Sequence, residues 1–129
     1  MFGASTRLAQ VRPANTSLAT VLSAPDNGPL IEITRIVVAN VGAGVTNFKF
    51  CHDISSSGTP SFSEANALWW DQSIPYNDTF IWEADAPGMG IPLGKNGYIG
   101  FASGGSNDAT LTLYGASAMV QERTVIGEE

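Results

Sequence analysis

One stretch, residues 30–52, limits the possible fold of this chain more than any other. Its first half, residues 30–40, is dense in isoleucine and valine, and such β-branched side chains favour a buried, pleated strand over a helix. Its second half, residues 45–52, alternates apolar and polar side chains with a period of two, which is typical of a strand with one face inward. The side chains expected on one face are Phe48, Phe50 and His52. The stretch therefore predicts two neighbouring strands joined by a short turn of small residues.

Two irregularities in this stretch have structural consequences. The apolar positions slip out of phase between Ile33 and Ile36, which predicts a β-bulge near Thr34 and Arg35. The run Cys-His-Asp at 51–53 has the residue types of a nucleophile and its base. However, adjacent residues of a strand point to opposite faces, so the thiol and the imidazole would not meet. We interpret the cysteine as a small buried packing residue.

The rest of the chain predicts more short strands, separated by turns rich in glycine, proline and asparagine. These strands are expected at 17–23, 67–74, 79–84, 91–93, 98–103 and 109–117. Gly100 would leave room for a neighbouring group. About eight short strands and no amphipathic helix predict an all-β fold, an antiparallel β-sandwich that is jelly-roll-like.

The length of 129 residues fits one domain. We expect an extended N-terminal arm at 1–15, a β-sandwich at 16–120 and an acidic C-terminal tail at 121–129. A frayed terminus is the alternative reading of the first segment. If it is an arm, its candidate partner contacts are Phe2, Arg7 and Arg12. Deleting residues 1–12 would then leave the sandwich folded.

The aromatic residues suggest a further candidate contact. Trp69 and Trp70 are adjacent on a predicted strand, so one ring would point inward and the other outward. We expect Trp69 to face outward and to need a cover, which would be a subunit interface, a bound sugar or the long loop at 53–65. The rings expected to fill the core are Phe48, Phe50, Trp70, Phe80 and Trp82.

Charge and ligand counts exclude several functions. The net charge is −6 and the six basic residues are scattered, which argues against nucleic acid as a partner. One cysteine and one histidine are too few ligands for a zinc site, and the chain has no Gly-x-Ser-x-Gly motif of a serine nucleophile. The turn aspartates lack the dense spacing of a calcium loop. Acidic pairs such as Glu83 with Asp85, or Asp71 with Asp78, occur in any acidic all-β domain. We therefore expect no catalytic residues, no cofactor and no metal.

The sequence also gives expectations about location. No window reaches 18 consecutive apolar residues, so no membrane span is expected. The first residues lack an apolar run behind a basic start, so no signal peptide is expected. The protein would then be made in a cytoplasm.

The order of strand and turn motifs between residues 16 and 116 resembles the small β-sandwich virion proteins of tailed bacteriophages, in particular capsid decoration (cement) proteins. The segments that carry the resemblance are Thr16-Ser17-Leu18-Ala19-Thr20-Val21, the Ile-rich strand at 31–40, Val45-Thr46-Asn47-Phe48-Lys49-Phe50, Ala67-Leu68-Trp69-Trp70, Ile74-Pro75-Tyr76-Asn77-Asp78-Thr79 and Leu111-Thr112-Leu113-Tyr114-Gly115.

The resemblance implies a non-enzymatic structural role. Such a protein would bind the outer surface of an icosahedral capsid between subunits of the major capsid protein, often as a homotrimer, and would be carried on the virion. The alternative is a carbohydrate- or receptor-binding β-sandwich of a phage tail or fibre, with Trp69 or Trp82 stacking on sugar.

Overall fold

A computed structural model describes residues 5–24 and 30–117. Within these ranges the chain forms nine β-strands, one short 3₁₀-helix at Glu64–Asn66 and no α-helix. The strands are β1 (Thr6–Val11), β2 (Ala19–Ser23), β3 (Ile31–Asn40), β4 (Thr46–Ile54), β5 (Ala67–Ile74), β6 (Thr79–Glu83), β7 (Ile91–Leu93), β8 (Gly97–Ser103) and β9 (Ala109–Ser117). The candidate contact Phe2 and the tail at 121–129 lie outside the described residues.

The strands form two antiparallel sheets. Sheet 1 has the order β1-β9-β3-β6, with β7 also paired to β3, and sheet 2 has the order β2-β8-β4-β5. Among the described strands, only β4 and β5 are neighbours both along the chain and within a sheet. The predicted antiparallel all-β sandwich is therefore confirmed, and this strand order is compatible with a jelly-roll-like arrangement. The count exceeds the predicted eight by one because Thr6–Val11, expected in an arm, forms the strand β1.

The core lies between the two sheets. It contains five fully buried residues of the stretch at 30–52: Ile33, Ile36, Val38, Phe48 and Phe50. Fully burying an aliphatic or phenylalanine side chain contributes roughly 1.5–3 kcal/mol. β3 and β4, which the stretch at 30–52 predicted, therefore form a large part of the core, and β8 and β9 supply further fully buried side chains.

The bulge predicted in β3 is confirmed. The register between β3 and β9 shifts between Ile33 and Arg35. The extra residue allows both Ile33 and Ile36 to face the core, although they are three positions apart.

The structure corrects the prediction of an arm at 1–15. Thr6–Val11 forms β1, which pairs with β9 at the edge of sheet 1. Leu8 and Val11 pack against the core. A register shift between Arg7 and Ala9 breaks the alternation of apolar and polar positions, so the sequence pattern did not show a strand there.

This correction changes the expected effect of a deletion. Removing residues 1–12 would remove β1 and expose one edge of β9, so the remaining sandwich would be less stable. The deletion is therefore no longer a clean test of an arm that only binds a partner.

The loop between β4 and β5 packs on the outer face of sheet 2. Phe62 lies over Gly100, where a Cβ atom would come within 2.7 Å of the ring. The loop is held by Asp53, whose carboxylate accepts hydrogen bonds from the Ser61 N–H (2.8 Å) and the Asn66 amide (3.3 Å). The room that the sequence predicted at Gly100 is thus filled by a ring from this loop.

We predict that Gly100→Ala lowers the free energy of unfolding by about 1–3 kcal/mol, because the added methyl group overpacks against Phe62. Gly44→Ala is the matched control, since a Cβ atom at Gly44 meets no atom within 4 Å. Urea unfolding of the two variants and the parent chain measures both effects. Equal unfolding midpoints for the two variants would contradict the packing of Phe62 on Gly100.

Candidate functional site

The two arginines expected in an arm lie on the sandwich instead. Arg7 is exposed on β1, and its guanidinium donates a hydrogen bond to the Gln10 side chain at 3.2 Å. Arg12 follows β1, and its Nε donates to the carbonyl of Asn107 at 3.1 Å, in the turn between β8 and β9. Both side chains are on the surface, but each is positioned by the fold.

The predicted orientation of the tryptophan pair is wrong. Trp69 packs inward, where its ring contacts three aromatic rings edge-on. The distances between ring centres are 5.6 Å to Phe50, 5.3 Å to Phe80 and 6.2 Å to Trp82. Trp69 is therefore a packing residue at the margin of the core, and it does not need the loop at 53–65 as a cover.

An irregularity in β5 explains the reversal. Phe48 lies opposite Gln72, whereas Phe50 lies opposite Trp69, so β5 has one more residue than β4 over this interval. Asp71, inside the interval, has a left-handed backbone with φ of 55°. The extra residue exchanges the two faces of the strand, and a pattern of strict alternation does not reveal it.

Trp70 is consequently on the outer face of sheet 2. The Lys49 ammonium lies 4.9 Å from the centre of its ring and forms an ion pair with Asp71. The Lys49 charge is paired with Asp71 and lies against the Trp70 ring. This cluster therefore resembles an ordinary solvent-exposed face of a sheet.

One end of the sandwich is organised by a single buried amide. The Asn40 Nδ2 group donates to three carbonyls, those of Gly44 (2.8 Å), Ile74 (3.1 Å) and Pro75 (3.0 Å). Its Oδ1 accepts a hydrogen bond from the Gly42 N–H at 3.0 Å. Asn40 thereby joins the turn that follows β3, a strand of sheet 1, to the turn that follows β5, a strand of sheet 2.

The same end is fastened to a third turn. The Val41 N–H donates to the Asp108 carbonyl at 2.8 Å, and the Asn107 N–H donates to the Pro13 carbonyl at 2.8 Å. These bonds fix the turn between β8 and β9 against the turn after β3 and against the segment after β1.

Large apolar side chains are exposed on the two turns that Asn40 joins. Val41 is 49% exposed, Val45 is 72% exposed and Tyr76 is 60% exposed. We call these three residues the loop-end surface. Exposed apolar groups on a rigid framework are typical of protein-binding sites. The sequence did not single them out, although an asparagine directly after a β-branched strand is a signal for a hydrogen-bonded turn.

A second feature is a recess of about 570 Å³ on the outer side of sheet 1, beneath the loop at 84–90. Residues from the bulge in β3, from β9 and from the loop form its walls. Its lining residues are Ser5, Glu32, Thr34, Arg35, Glu83, Ala84, Asp85, Ala86, Pro87, Tyr114 and Ala116.

The recess brings together charges that are distant in sequence. Glu32 is only 3% exposed and accepts a hydrogen bond from the Gly90 N–H at 2.7 Å. Arg35 lies 3.3 Å from the Glu83 carboxylate and 5.8 Å from the centre of the Tyr114 ring. Glu32 was not among the predicted site residues, although a charged residue between two isoleucines of a buried strand is an available signal.

Cys51 and His52 belong to different environments. The Cys51 thiol is buried beneath the β4–β5 loop and lies 3.7 Å from the Ser63 carbonyl. Burial raises the pKa of this thiol, against smaller opposing effects of the Lys49 charge and the Ser63 hydrogen bond. Burial lowers the pKa of the His52 imidazole, and the Asp53 charge partly opposes that shift. Within the described residues, the buried His52 Nε2 atom has no hydrogen-bond partner.

Residues 5–24 and 30–117 contain neither a cluster of metal-binding side chains nor a membrane-spanning helix. No group of three or more histidine, cysteine, aspartate or glutamate side chains is placed to hold a metal ion. No helix in these ranges is long and apolar enough to cross a membrane.

His52 predicts a pH dependence of stability. Its pKa is lowered in the folded chain, so the unfolded chain binds more protons between that value and the ordinary histidine pKa, and stability falls as the pH drops through this window. We expect the parent chain to lose more unfolding free energy than His52→Leu when the pH is lowered from about 7.5 to about 5.5. Urea unfolding at both pH values measures the difference. Parallel losses in the two proteins would show that His52 titrates normally.

Comparison with known proteins adds no identification: no protein-family model matches the chain, and no curated protein matches it significantly.

Proposed function

We propose that the chain is a non-enzymatic virion structural protein. It binds the outer surface of an icosahedral phage capsid between major capsid subunits and stabilises the shell. This role requires neither a substrate nor a cofactor. In this proposal it acts as a homotrimer, is made in the host cytoplasm and is carried on the capsid surface. The observation that carries the proposal is the loop-end surface, an apolar contact site held in a fixed shape by Asn40.

The fixed shape favours binding. A loop that is ordered only on contact loses conformational entropy when it binds, and this loss weakens the complex. The turns of Val45 and Tyr76 are already held by the three hydrogen bonds from Asn40. Their exposed side chains can therefore enter a partner surface at a low entropic cost.

The composition supports a broad protein contact. Only 14% of the residues are charged, compared with about 25% in ordinary globular chains. Charged residues are depleted in the centres of protein interfaces, while aromatic residues are enriched. The loop-end surface follows this pattern, since its three residues are two valines and a tyrosine.

The strand pattern that resembles capsid decoration proteins lies almost wholly within described strands and turns. The segment at 31–40 is β3, the segment at 67–70 begins β5, and the segment at 74–79 is the turn that carries Tyr76. The segments that carry the resemblance thus include Val45 and Tyr76, one residue from each turn of the proposed contact.

The structure offers less support for the sugar-binding alternative. That reading needs an open tryptophan face on Trp69 or Trp82. The two rings instead contact one another edge-on, with 6.2 Å between their centres, and both pack against the core. A sugar would have to displace these contacts.

We expect the double variant Val45→Ser/Tyr76→Ser to bind capsids about 10- to 100-fold more weakly, because exposed apolar anchors contribute most of the free energy of an interface. Co-sedimentation of the purified protein with capsids that lack it measures the binding. Urea unfolding of the variant establishes that the sandwich remains folded.

The matched control is Ile54→Ser. Ile54 is 71% exposed and lies at the other end of β4. The substitution therefore removes a similar apolar side chain far from the loop-end surface. Its capsid binding should equal that of the parent chain. Undiminished binding of the double variant, or an equal loss in Ile54→Ser, would contradict the proposed contact site.

A further inference from the structure

The recess beneath the loop at 84–90 contains a buried carboxylate, that of Glu32, which forms no ion pair with the described residues. One Glu32 oxygen, Oε2, accepts the hydrogen bond from the Gly90 N–H. The other oxygen, Oε1, receives none from the described residues, and no lysine, arginine or histidine among them forms an ion pair with this carboxylate. Buried charges in proteins are normally paired, because removing an ion from water is costly. The unpaired carboxylate therefore points to a cationic ligand.

The other charged residues of the recess also favour a cationic ligand. Three acidic residues and one basic residue line it. The basic residue, Arg35, is already engaged by Glu83, with Tyr114 beside its guanidinium. Asp85, like Glu32, forms no ion pair with the described residues. The recess thus has an excess of negative charge and two carboxylates available to a ligand.

The shape of the site selects among cations. No three acidic groups of the described chain converge closely enough to hold a metal ion. A guanidinium group is larger and planar, and its five N–H donors can serve carboxylates that lie apart from one another. The Pro87 ring and Ala116 can line the apolar stem of such a side chain.

The geometry points to an arginine side chain of a partner protein as the occupant of this recess, with its guanidinium on Glu32 and Asp85. This assignment is independent of the capsid role, since any partner that presents an exposed arginine would satisfy it. It gives the chain a second contact site on sheet 1, in addition to the loop-end surface.

The test uses the full chain and a short probe, the peptide acetyl-Gly-Arg-Gly-amide, followed by two-dimensional ¹H–¹⁵N NMR. We expect saturable shifts of the Gly90 amide signal with an affinity in the millimolar range. The matched peptide with citrulline, which has the same shape without the charge, should give no saturable shift. No shift with the arginine peptide would overturn the proposal, and equal binding of a lysine peptide would overturn the assignment of arginine.

Variants test which carboxylates are involved. Glu32→Gln and Asp85→Asn should each weaken binding of the arginine peptide by tenfold or more, whereas Glu64→Gln, an equal change of charge at an exposed site outside the recess, should leave it unchanged. Asp85 is exposed, so its variant tests the proposal even if Glu32→Gln fails to fold. Equal effects of Glu64→Gln and Asp85→Asn would show only a general effect of charge and would overturn the site.

A last variant separates a partner's arginine from the chain's own. Arg123 lies outside the described residues, six positions after the end of β9. The Arg123→Ala chain should bind the arginine peptide with the same affinity as the parent chain. If the peptide bound only to Arg123→Ala, the occupant would be the chain's own tail, and the assignment to a partner would be overturned.

Discussion

The amide of Asn40 is the interaction on which the proposed contact site depends. It is buried at the end of β3, where it bonds the turn that follows and the backbone that leaves β5. A buried carbonyl that loses its donor costs roughly 1–3 kcal/mol. Asn40 serves three carbonyls, of which that of Ile74 is buried and those of Gly44 and Pro75 are partly buried. One side chain therefore connects the two sheets at this end. Its hydrogen bonds restrain the turns that carry Val45 and Tyr76.

Bulges determine which side chains reach which surface. The bulge in β3 keeps Ile33 and Ile36 in the core and lies beside the recess that contains Glu32. The extra residue in β5 places Trp69 inside and leaves Trp70 beside Lys49. In both strands a single extra residue changes which side chains face the core, so local register decides what a partner can contact.

Much of the fold could be predicted from sequence because most strands here are short, apolar and separated by strong turn signals. The strand at 67–74 and the bulge in β3 were predicted correctly. The orientation of Trp69 was not, because the extra residue in β5 lies beside two adjacent tryptophans and leaves no visible break in the alternation there. β1 was missed for the same reason, because a register shift hides its apolar face. Asn40 and Glu32 were missed because their roles come from groups distant in sequence, which only the folded chain brings together.

The exposed turns and the recess lie on a framework whose interior is already satisfied by aromatic and aliphatic packing, which is why partner binding is the role we assign to them. Hydrogen–deuterium exchange of the protein, free and bound to capsids, tests that role most directly. Slower exchange on capsids at residues 41–45 and 76–78, with little change around Ile54, is the result expected from contact through the turns that Asn40 joins. Protection around Ile54, with unchanged exchange in those turns, would contradict it.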